Sequence, residues 1–113
     1  MKHSEEIMAF IDLEKILERE VVPGFLARFV HSEFMTISYW DVKEGHTLPE
    51  HSHPHEQITT VIRGTFKLTI DGESKIVEAG SVAIIPSGSK HSGESLTDCY
   101  IIDVFYPIRE DFK

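Results

Sequence analysis

Residues 45–64 read GHTLPEHSHPHEQITTVIRG, and residues 80–95 read GSVAIIPSGSKHSGES. The first stretch brings His51, His53 and Gln57 close together in the chain, and the second adds His91. Residues two apart on a strand point to the same side of a sheet, so we expect the first three to project together from one strand. The turn-rich run from Pro86 to Lys90 can direct His91 back toward that strand. The pattern therefore predicts one site built from four side chains.

This set of side chains suits a divalent transition metal. Imidazole nitrogen binds zinc, nickel and iron(II), and amide oxygen is a harder donor that manganese, nickel and iron accept. We therefore expect one divalent ion, nickel, zinc, manganese or iron, on His51, His53, Gln57 and His91. Because Gln57 is neutral, the ion keeps its full double charge, which favours Lewis-acid chemistry over redox chemistry. The neighbouring Glu56 replaces Gln57 as a ligand only if a bulge breaks the strand alternation.

Length and composition limit the remaining possibilities. The chain has 113 residues, of which 41% are hydrophobic, and this is enough for one compact domain. A net charge of −8 argues against a nucleic-acid partner. No apolar run approaches the roughly 18 to 20 residues of a membrane span, and the start, with Glu5 and Glu6, lacks the basic residues of a signal peptide. We therefore expect a cytoplasmic protein with no membrane partner, in which the lone Cys99 is a buried free thiol.

Short runs of β-branched and aromatic residues, separated by glycine turns, occupy the chain from Phe25 onward. Such a pattern predicts an all-β sandwich or barrel. The segment from Glu5 to Arg19 is different, because its apolar spacing fits either a short helix or a strand followed by a loop. The expected strands are Phe25–Val30, Met35–Val42, Gln57–Arg63, Thr65–Ile70, Lys75–Glu78, Val82–Ile85 and Asp98–Tyr106.

The last of these strands is apolar on both faces except for Asp103. A buried carboxylate is costly unless it is paired or used. Asp103 is therefore either a structural carboxylate at a sheet rim or an acid/base group beside the metal, on the face it shares with Ile101 and Phe105. If Asp103 faces inward, an apolar stripe points outward, and we expect that stripe to support a homodimer. The stripe consists of Tyr100, Ile102, Val104 and Tyr106.

The spacing of the two quoted stretches resembles the two signature motifs of the cupin superfamily. The positions that correspond to the motifs are Gly45, His51, His53, Gln57, Gly64, Gly80, Pro86, Gly88, His91 and Ser95. Two of them depart from the usual motif, since Gln57 stands in place of glutamate and Ser95 in place of asparagine. The resemblance implies an all-β single-domain cupin, a jelly-roll barrel also called a double-stranded β-helix, that holds one metal. We expect the barrel over residues 25–113, after a short N-terminal extension over residues 1–24.

A narrower resemblance covers the metal motifs and the C-terminal strand with its tail. The run from His51 to Gln57, the segment from His91 to Gly93 and the ending from Asp103 to Phe112 look like the KdgF-type cupins of pectin and alginate catabolism. Cupins of this type convert cyclic 4,5-unsaturated monouronates into the linear ketonised form. The resemblance therefore implies an isomerase-like, metal-dependent enzyme of uronate catabolism that acts on a small anionic sugar.

The same resemblance assigns roles in the pocket. It implies that Asp103 is the catalytic acid/base group. It also implies that Phe105 and Arg109 bind the substrate, and that Arg109 takes part in catalysis as well. A guanidinium offers a bidentate fork to a uronate carboxylate, and an aromatic ring offers an apolar wall to a sugar face.

Each of these assignments has an alternative. Arg109 lies in a charged tail, where a solvated surface arginine is as common, and Phe105 is first of all a core aromatic. His46 and His55 flank the ligands and are more often rim histidines in water. For the function, a non-catalytic sugar- or signal-binding cupin keeps the metal without needing Asp103, and a cupin oxygenase needs iron(II) and oxygen.

Overall fold

The structure is a computed structural model that describes residues 9–113. Within this range the chain forms strands joined by short turns, with two 3-10 turns at Leu13–Lys15 and Glu110–Phe112. The strands are β1 (Arg19–Val22), β2 (Phe25–His31), β3 (Thr36–Val42), β4 (Thr47–His51), β5 (Glu56–Arg63), β6 (Thr65–Ile70), β7 (Glu73–Glu78), β8 (Val82–Ile85), β9 (His91–Ser95) and β10 (Cys99–Tyr106).

The strands form two antiparallel sheets. The larger sheet has the order β1-β2-β3-β10-β5-β8, and the smaller sheet has the order β4-β9-β6-β7. Several strands that follow each other in sequence lie in different sheets, such as β3 and β4, or β4 and β5. This alternation closes the chain into a jelly-roll barrel. The predicted all-β fold is confirmed.

The seven predicted strands are all present, and their ends differ from the prediction by at most two residues. The sequence pattern missed β1, β4 and β9. Strand β9 is polar and contains Gly93, and β4 contains Pro49, so neither shows the alternation of β-branched residues that is typical of a strand. Pro49 is tolerated because β4 lies at the edge of the smaller sheet.

The expectation that His51, His53 and Gln57 project from one strand is wrong. Strand β4 ends at His51, and β5 begins in the other sheet, so residues 52–55 form a connection between the sheets. Pro54 in this connection lacks the N–H that a continuing ladder would need. The ladder between β5 and β8 has no bulge, so Glu56 faces outward and Gln57 faces the barrel interior.

The core lies between the two sheets. Phe25 contacts Trp40 and Phe66 edge to face, with both pairs of ring centroids 6.3 Å apart. Strand β10 alternates as predicted, because Cys99, Ile101, Asp103 and Phe105 are buried and the residues between them are not. The expectation of a buried free thiol at Cys99 is confirmed.

The N-terminal segment is tested only in part. Residues 1–8 lie outside the described part of the chain, and from residue 9 to β1 the regular structure is the 3-10 turn. Strand β1 falls within the predicted extension over residues 1–24 but pairs with β2, and the boundary at residue 25 stays a prediction. Among residues 9–113, the structure has no helix long and apolar enough to cross a membrane. The cytoplasmic location stays a prediction.

Candidate metal centre

Three histidines meet between the two sheets. His51 ends β4 and lies opposite His91, which begins β9, while His53 reaches the same place from the connection to β5. The ring centroid of His91 lies 4.2 Å from that of His51 and 4.9 Å from that of His53. Their potential ligand nitrogens lie within 4.8 Å of one another. Donor atoms this close together can share one ion.

Each of the three rings is oriented by a backbone carbonyl. The Nδ1 atoms of His51, His53 and His91 lie 2.8, 3.1 and 2.9 Å from carbonyl oxygens of nearby residues. A carbonyl oxygen can only accept a hydrogen bond, so each Nδ1 carries the proton. In the neutral ring Nε2 then has a free lone pair, and this is the tautomer that a metal-binding histidine needs.

Burial keeps two of these rings neutral. It lowers the pKa of His53 to about 4, with further lowering by the positive charge of Arg109 and by His91. Burial is also the largest cause of the lowered pKa of His91. At neutral pH both rings can therefore bind a metal without first losing a proton.

Gln57 supplies a fourth donor. Its Oε1 atom lies 3.1 Å from Nε2 of His53, while its Nε2 atom donates to Thr59 Oγ1 at 2.9 Å. The Oε1 atom of Gln57 and the unprotonated Nε2 atom of His53 are both acceptors, so the two lone pairs repel each other unless a cation lies between them. The four predicted residues thus fit a divalent ion, with three nitrogen donors and one amide oxygen.

Asp103 is joined to this set through Thr59. The hydroxyl of Thr59 donates to Asp103 Oδ1 at 2.6 Å, and the hydroxyl oxygen of Thr59 accepts from the Gln57 amide. Burial raises the pKa of Asp103 to about 6, although the hydrogen bond from Thr59 and the charge of Arg109 act in the opposite direction. A carboxyl group with this pKa can both accept and donate a proton near neutral pH.

A cavity of about 360 Å³ opens over these groups. Its lining includes the three histidines, Gln57, Asp103 and Arg109. A smaller cavity of about 60 Å³ lies deeper among apolar core residues and shares Gln57, His91 and Asp103 with the larger one. The volume of the larger cavity lies within the range of small-molecule sites.

Arg109 is buried, not solvated on the surface as its charged tail suggests. Its guanidinium lies 4.6 Å from the ring centroid of Phe105 and 4.0 Å from that of Phe112. Its Nε and Nη2 atoms donate to the two carboxylate oxygens of Asp111 at 3.0 and 2.8 Å. These bonds hold the pKa of Asp111 below its usual value. The cavity therefore carries one positive side chain with N–H groups to spare.

Phe105 serves the core and lines the cavity. It is buried, and its ring meets His53 at a centroid distance of 5.7 Å and Phe112 at 5.9 Å. Phe112 in turn stacks on Phe29 at 4.4 Å, which attaches the C-terminal turn to β2. The C-terminal tail thus forms one wall of the cavity.

The chain matches a known protein family. The Cupin domain family model matches residues 38–105, which is more than half of the chain. The chain belongs to the cupin family. This matched range contains all four candidate ligands, Asp103 and Phe105.

This cupin is similar to two KdgF proteins and to an oxalate decarboxylase. It is 36% identical over 64 residues to the pectin degradation protein KdgF of Dickeya dadantii, an alignment that covers 55% of the cupin and 58% of that protein. Its fold matches KdgF from Halomonas sp. with a TM-score of 0.87 and 25% identity, over 94% of this cupin and 99% of that chain. An oxalate decarboxylase of Bacillus subtilis matches with a TM-score of 0.75 and 26% identity, over 86% of this cupin but only 29% of the enzyme.

One residue next to the candidate ligands was not found from sequence, and two histidines have a different environment from the expected one. Thr59 lies two residues after Gln57 on β5. Strand alternation therefore places both side chains on the same inward face, and this alternation is the sequence signal that could have identified Thr59. His55 is not a rim histidine in water, because its Nε2 atom bonds the carbonyl of Ile108 at 3.2 Å and its Nδ1 atom is shielded. His46 is not free at the rim either, since its ring packs against Gly24.

Proposed function

We propose that this cupin catalyses the metal-dependent conversion of a cyclic 4,5-unsaturated monouronate into its linear ketonised form. The observation that carries the proposal is that a buried carboxyl group with a pKa of about 6, a buried arginine and the histidine cluster line one cavity. The similarity to two KdgF proteins, one of them named for pectin degradation, supports the choice of a uronate.

The reaction is an isomerisation that needs proton transfer. The anomeric hydroxyl loses its proton as the bond between C1 and the ring oxygen breaks, which leaves an aldehyde at C1. Carbon C4 gains a proton, and C5 becomes a ketone, so no atom is gained or lost overall. Asp103 is the group in the cavity suited to carry this proton, because its raised pKa lets it be protonated for part of the time near neutral pH.

The positive groups of the cavity would bind the uronate carboxylate. The chain has a net charge of −8, so long-range attraction of an anion is weak and local groups must provide it. Two of the five N–H bonds of Arg109 are used by Asp111, and three remain for a substrate oxygen. A divalent ion on the three histidines and Gln57 would supply Lewis-acid stabilisation of negative charge on the substrate. Phe105 gives the sugar an apolar wall.

The test is an assay of the purified protein with freshly generated unsaturated galacturonate. We expect the absorbance of the enol ether to fall faster than without protein, and the acceleration to disappear after chelation. Asp103→Asn should lose at least about 100-fold in kcat while its metal content stays the same. Glu73→Gln, which changes an exposed carboxylate on β7, is the matched control and should keep full activity.

Two other outcomes decide against the proposal. If the trace with protein overlays the trace without it, and the metal-loaded protein still binds the sugar, the chain is a binding cupin. If turnover stops without oxygen although nickel or manganese is present, the chain is an oxygenase. If the Asp103→Asn variant turns over at the full rate, Asp103 does not transfer the proton.

A further inference from the structure

A short chain of hydrogen bonds attaches the C-terminal tail to the larger sheet. The backbone N–H of Arg109 donates to Thr36 Oγ1 at 2.9 Å, and the same Oγ1 atom lies 2.8 Å from Nδ1 of His31. The other ring nitrogen of His31, Nε2, lies 3.3 Å from the carbonyl oxygen of Phe112. His31 therefore holds both ends of residues 109–112, directly at Phe112 and through Thr36 at Arg109.

The protons of this chain have a consistent arrangement. The carbonyl oxygen of Phe112 can only accept, so Nε2 of His31 carries a proton. In the neutral ring Nδ1 then accepts the hydroxyl proton of Thr36, and the oxygen of Thr36 accepts from the N–H of Arg109. Thr36 is completely buried, so a bond that is lost there is not replaced by water.

His31 and Thr36 belong to a row of side chains that crosses the sheet to the candidate metal centre. The strand registers place His31 beside Thr36, Thr36 beside Phe105, and Phe105 beside Gln57. Thr36, Phe105 and Gln57 are buried, whereas His31 is partly buried at the far end of the row. Neither His31 nor Thr36 lines the larger cavity, but Arg109, whose backbone they hold, does.

The guanidinium of Arg109 depends on the path of the tail because two of its contacts come from the next three residues. It lies 4.0 Å from the ring centroid of Phe112 and donates two hydrogen bonds to Asp111. A single 3-10 turn has little stability of its own, so contacts with the sheet must hold it. Arg19 also donates to the carbonyl of Phe112, whereas Thr36 binds the backbone of Arg109 itself.

We propose that His31 and Thr36 are positioning residues for Arg109, because their hydrogen bonds fix the path of the tail and thereby the place of the guanidinium in the cavity. Their effect on the reaction rests on the proposed function, in which Arg109 binds the uronate carboxylate. This carboxylate is present in the substrate and in the transition state alike. Displacing Arg109 therefore raises KM more than it lowers kcat.

The place of the guanidinium can be measured without a substrate, by proton–nitrogen NMR of the whole chain with zinc added. The guanidinium lies against the rings of Phe105 and Phe112, so we expect its Nε–H signal, assigned with Arg109→Lys, to differ from the signals of exposed arginines. In Thr36→Val and in His31→Ala this signal should move toward those of exposed arginines. Its exchange with water should become at least about 10-fold faster.

Matched variants separate positioning from a general loss of packing. Thr36→Ser keeps the hydroxyl and should keep the wild-type signal of Arg109. Thr69→Val removes a threonine hydroxyl that is hydrogen-bonded to Ser74 in the other sheet, and it should leave the signal unchanged. With unsaturated galacturonate, Thr36→Val and His31→Ala should raise KM about 5- to 30-fold and change kcat less than about 3-fold.

An unchanged Arg109 signal in both Thr36→Val and His31→Ala would overturn the proposal, and so would an equal displacement in Thr36→Ser. If the variants displace the signal but keep the KM of an active wild type, Arg109 is not positioned for the substrate and the proposal is also wrong. If the signal is displaced and the wild type has no turnover, the proposed function fails while the positioning of Arg109 stands. Far-UV circular dichroism checks folding, and the partly buried His31 provides the test if Thr36→Val does not fold.

Discussion

The single hydroxyl proton of Thr59 decides which polar groups of the site donate hydrogen bonds and which accept them. The hydroxyl of Thr59 has one proton to donate. Its Oγ1 atom lies 2.6 Å from Oδ1 of Asp103, and an ionised carboxylate can only accept a hydrogen bond. Thr59 must therefore accept from Gln57, so the amide nitrogen of Gln57 faces Thr59 and its oxygen faces His53. Thr59 thus turns the amide oxygen of Gln57 toward His53, where it would be an oxygen donor for a metal on the histidines.

This role predicts that Thr59→Val weakens metal binding. Valine has nearly the same shape but neither donates nor accepts, so the amide of Gln57 loses the bond that orients it. We expect metal affinity to fall about 10- to 100-fold, as is usual when the partner of a ligand is removed. The measurement is a competition titration with a chromophoric chelator. Thr59→Ser keeps the hydroxyl and is the matched control, so equal losses in the two variants would contradict the orienting role.

The four candidate ligands can be predicted from spacing because the two motifs fix their positions in the chain. Spacing does not show which nitrogen of a ring carries the proton, since the carbonyl partners are set by the backbone path around His51 and His91. It also does not predict the burial of Arg109. The tail of this chain is charged, and only the contacts of Arg109 with Phe105 and Phe112 reveal that it folds back over the cavity.

At the scale of the elements, strands with an apolar pattern are predictable, and polar strands or strands interrupted by proline are not. Strands β5, β6 and β10 bury alternate side chains, and their sequences show it. Strand β4 is recognised only through its pairing with β9, where His51 lies opposite His91, and β9 only through its pairing with β4 and β6. The strands that carry two of the candidate ligands are therefore the ones that sequence periodicity does not show.

The turn between β1 and β2 predicts an effect on stability. Gly24 has a φ of +81°, and a Cβ at this position would lie 2.1 Å from Cγ of His46. Gly24→Ala therefore meets both a strained backbone, at about 1–2 kcal/mol, and a clash with a packed ring, at about 1–3 kcal/mol. We expect chemical denaturation to show a loss of free energy of unfolding equal to the sum of the two.

A matched glycine separates these two causes. Gly72 has a φ of +85° but open space around its Cβ position, so Gly72→Ala should lose only the backbone part. Combining Gly24→Ala with His46→Ala removes the ring, and the double variant should be more stable than the sum of the single changes implies. Strict additivity would show that His46 does not contact the turn.

For the whole molecule, the half-buried His53 and the buried Asp103 give the folding stability opposite pH dependences. The pKa of His53 is about 4 in the folded protein and about 6.5 in the unfolded chain, so the folded state binds fewer protons between these values and becomes more stable as the pH rises. The pKa of Asp103 is about 6 when folded and about 3.8 when unfolded, so the folded state binds more protons and becomes less stable as the pH rises. The two effects oppose each other between pH 4 and pH 6.

Asp103→Asn removes one of these opposing effects. The wild type loses about 3 kcal/mol through Asp103 as the pH rises from below 4 to above 6, and the variant does not. In metal-free protein we therefore expect the stability of Asp103→Asn relative to the wild type to increase by about that amount over this range. Urea denaturation at pH 4, 5, 6 and 7 with a chelator present measures it, and Glu73→Gln is the control for losing an exposed carboxylate. Parallel curves for Asp103→Asn and the wild type would mean that the Asp103 carboxyl titrates as it does in water. Such a group would be ionised nearly all the time at neutral pH and unable to supply the proton that the proposed ketonising step requires.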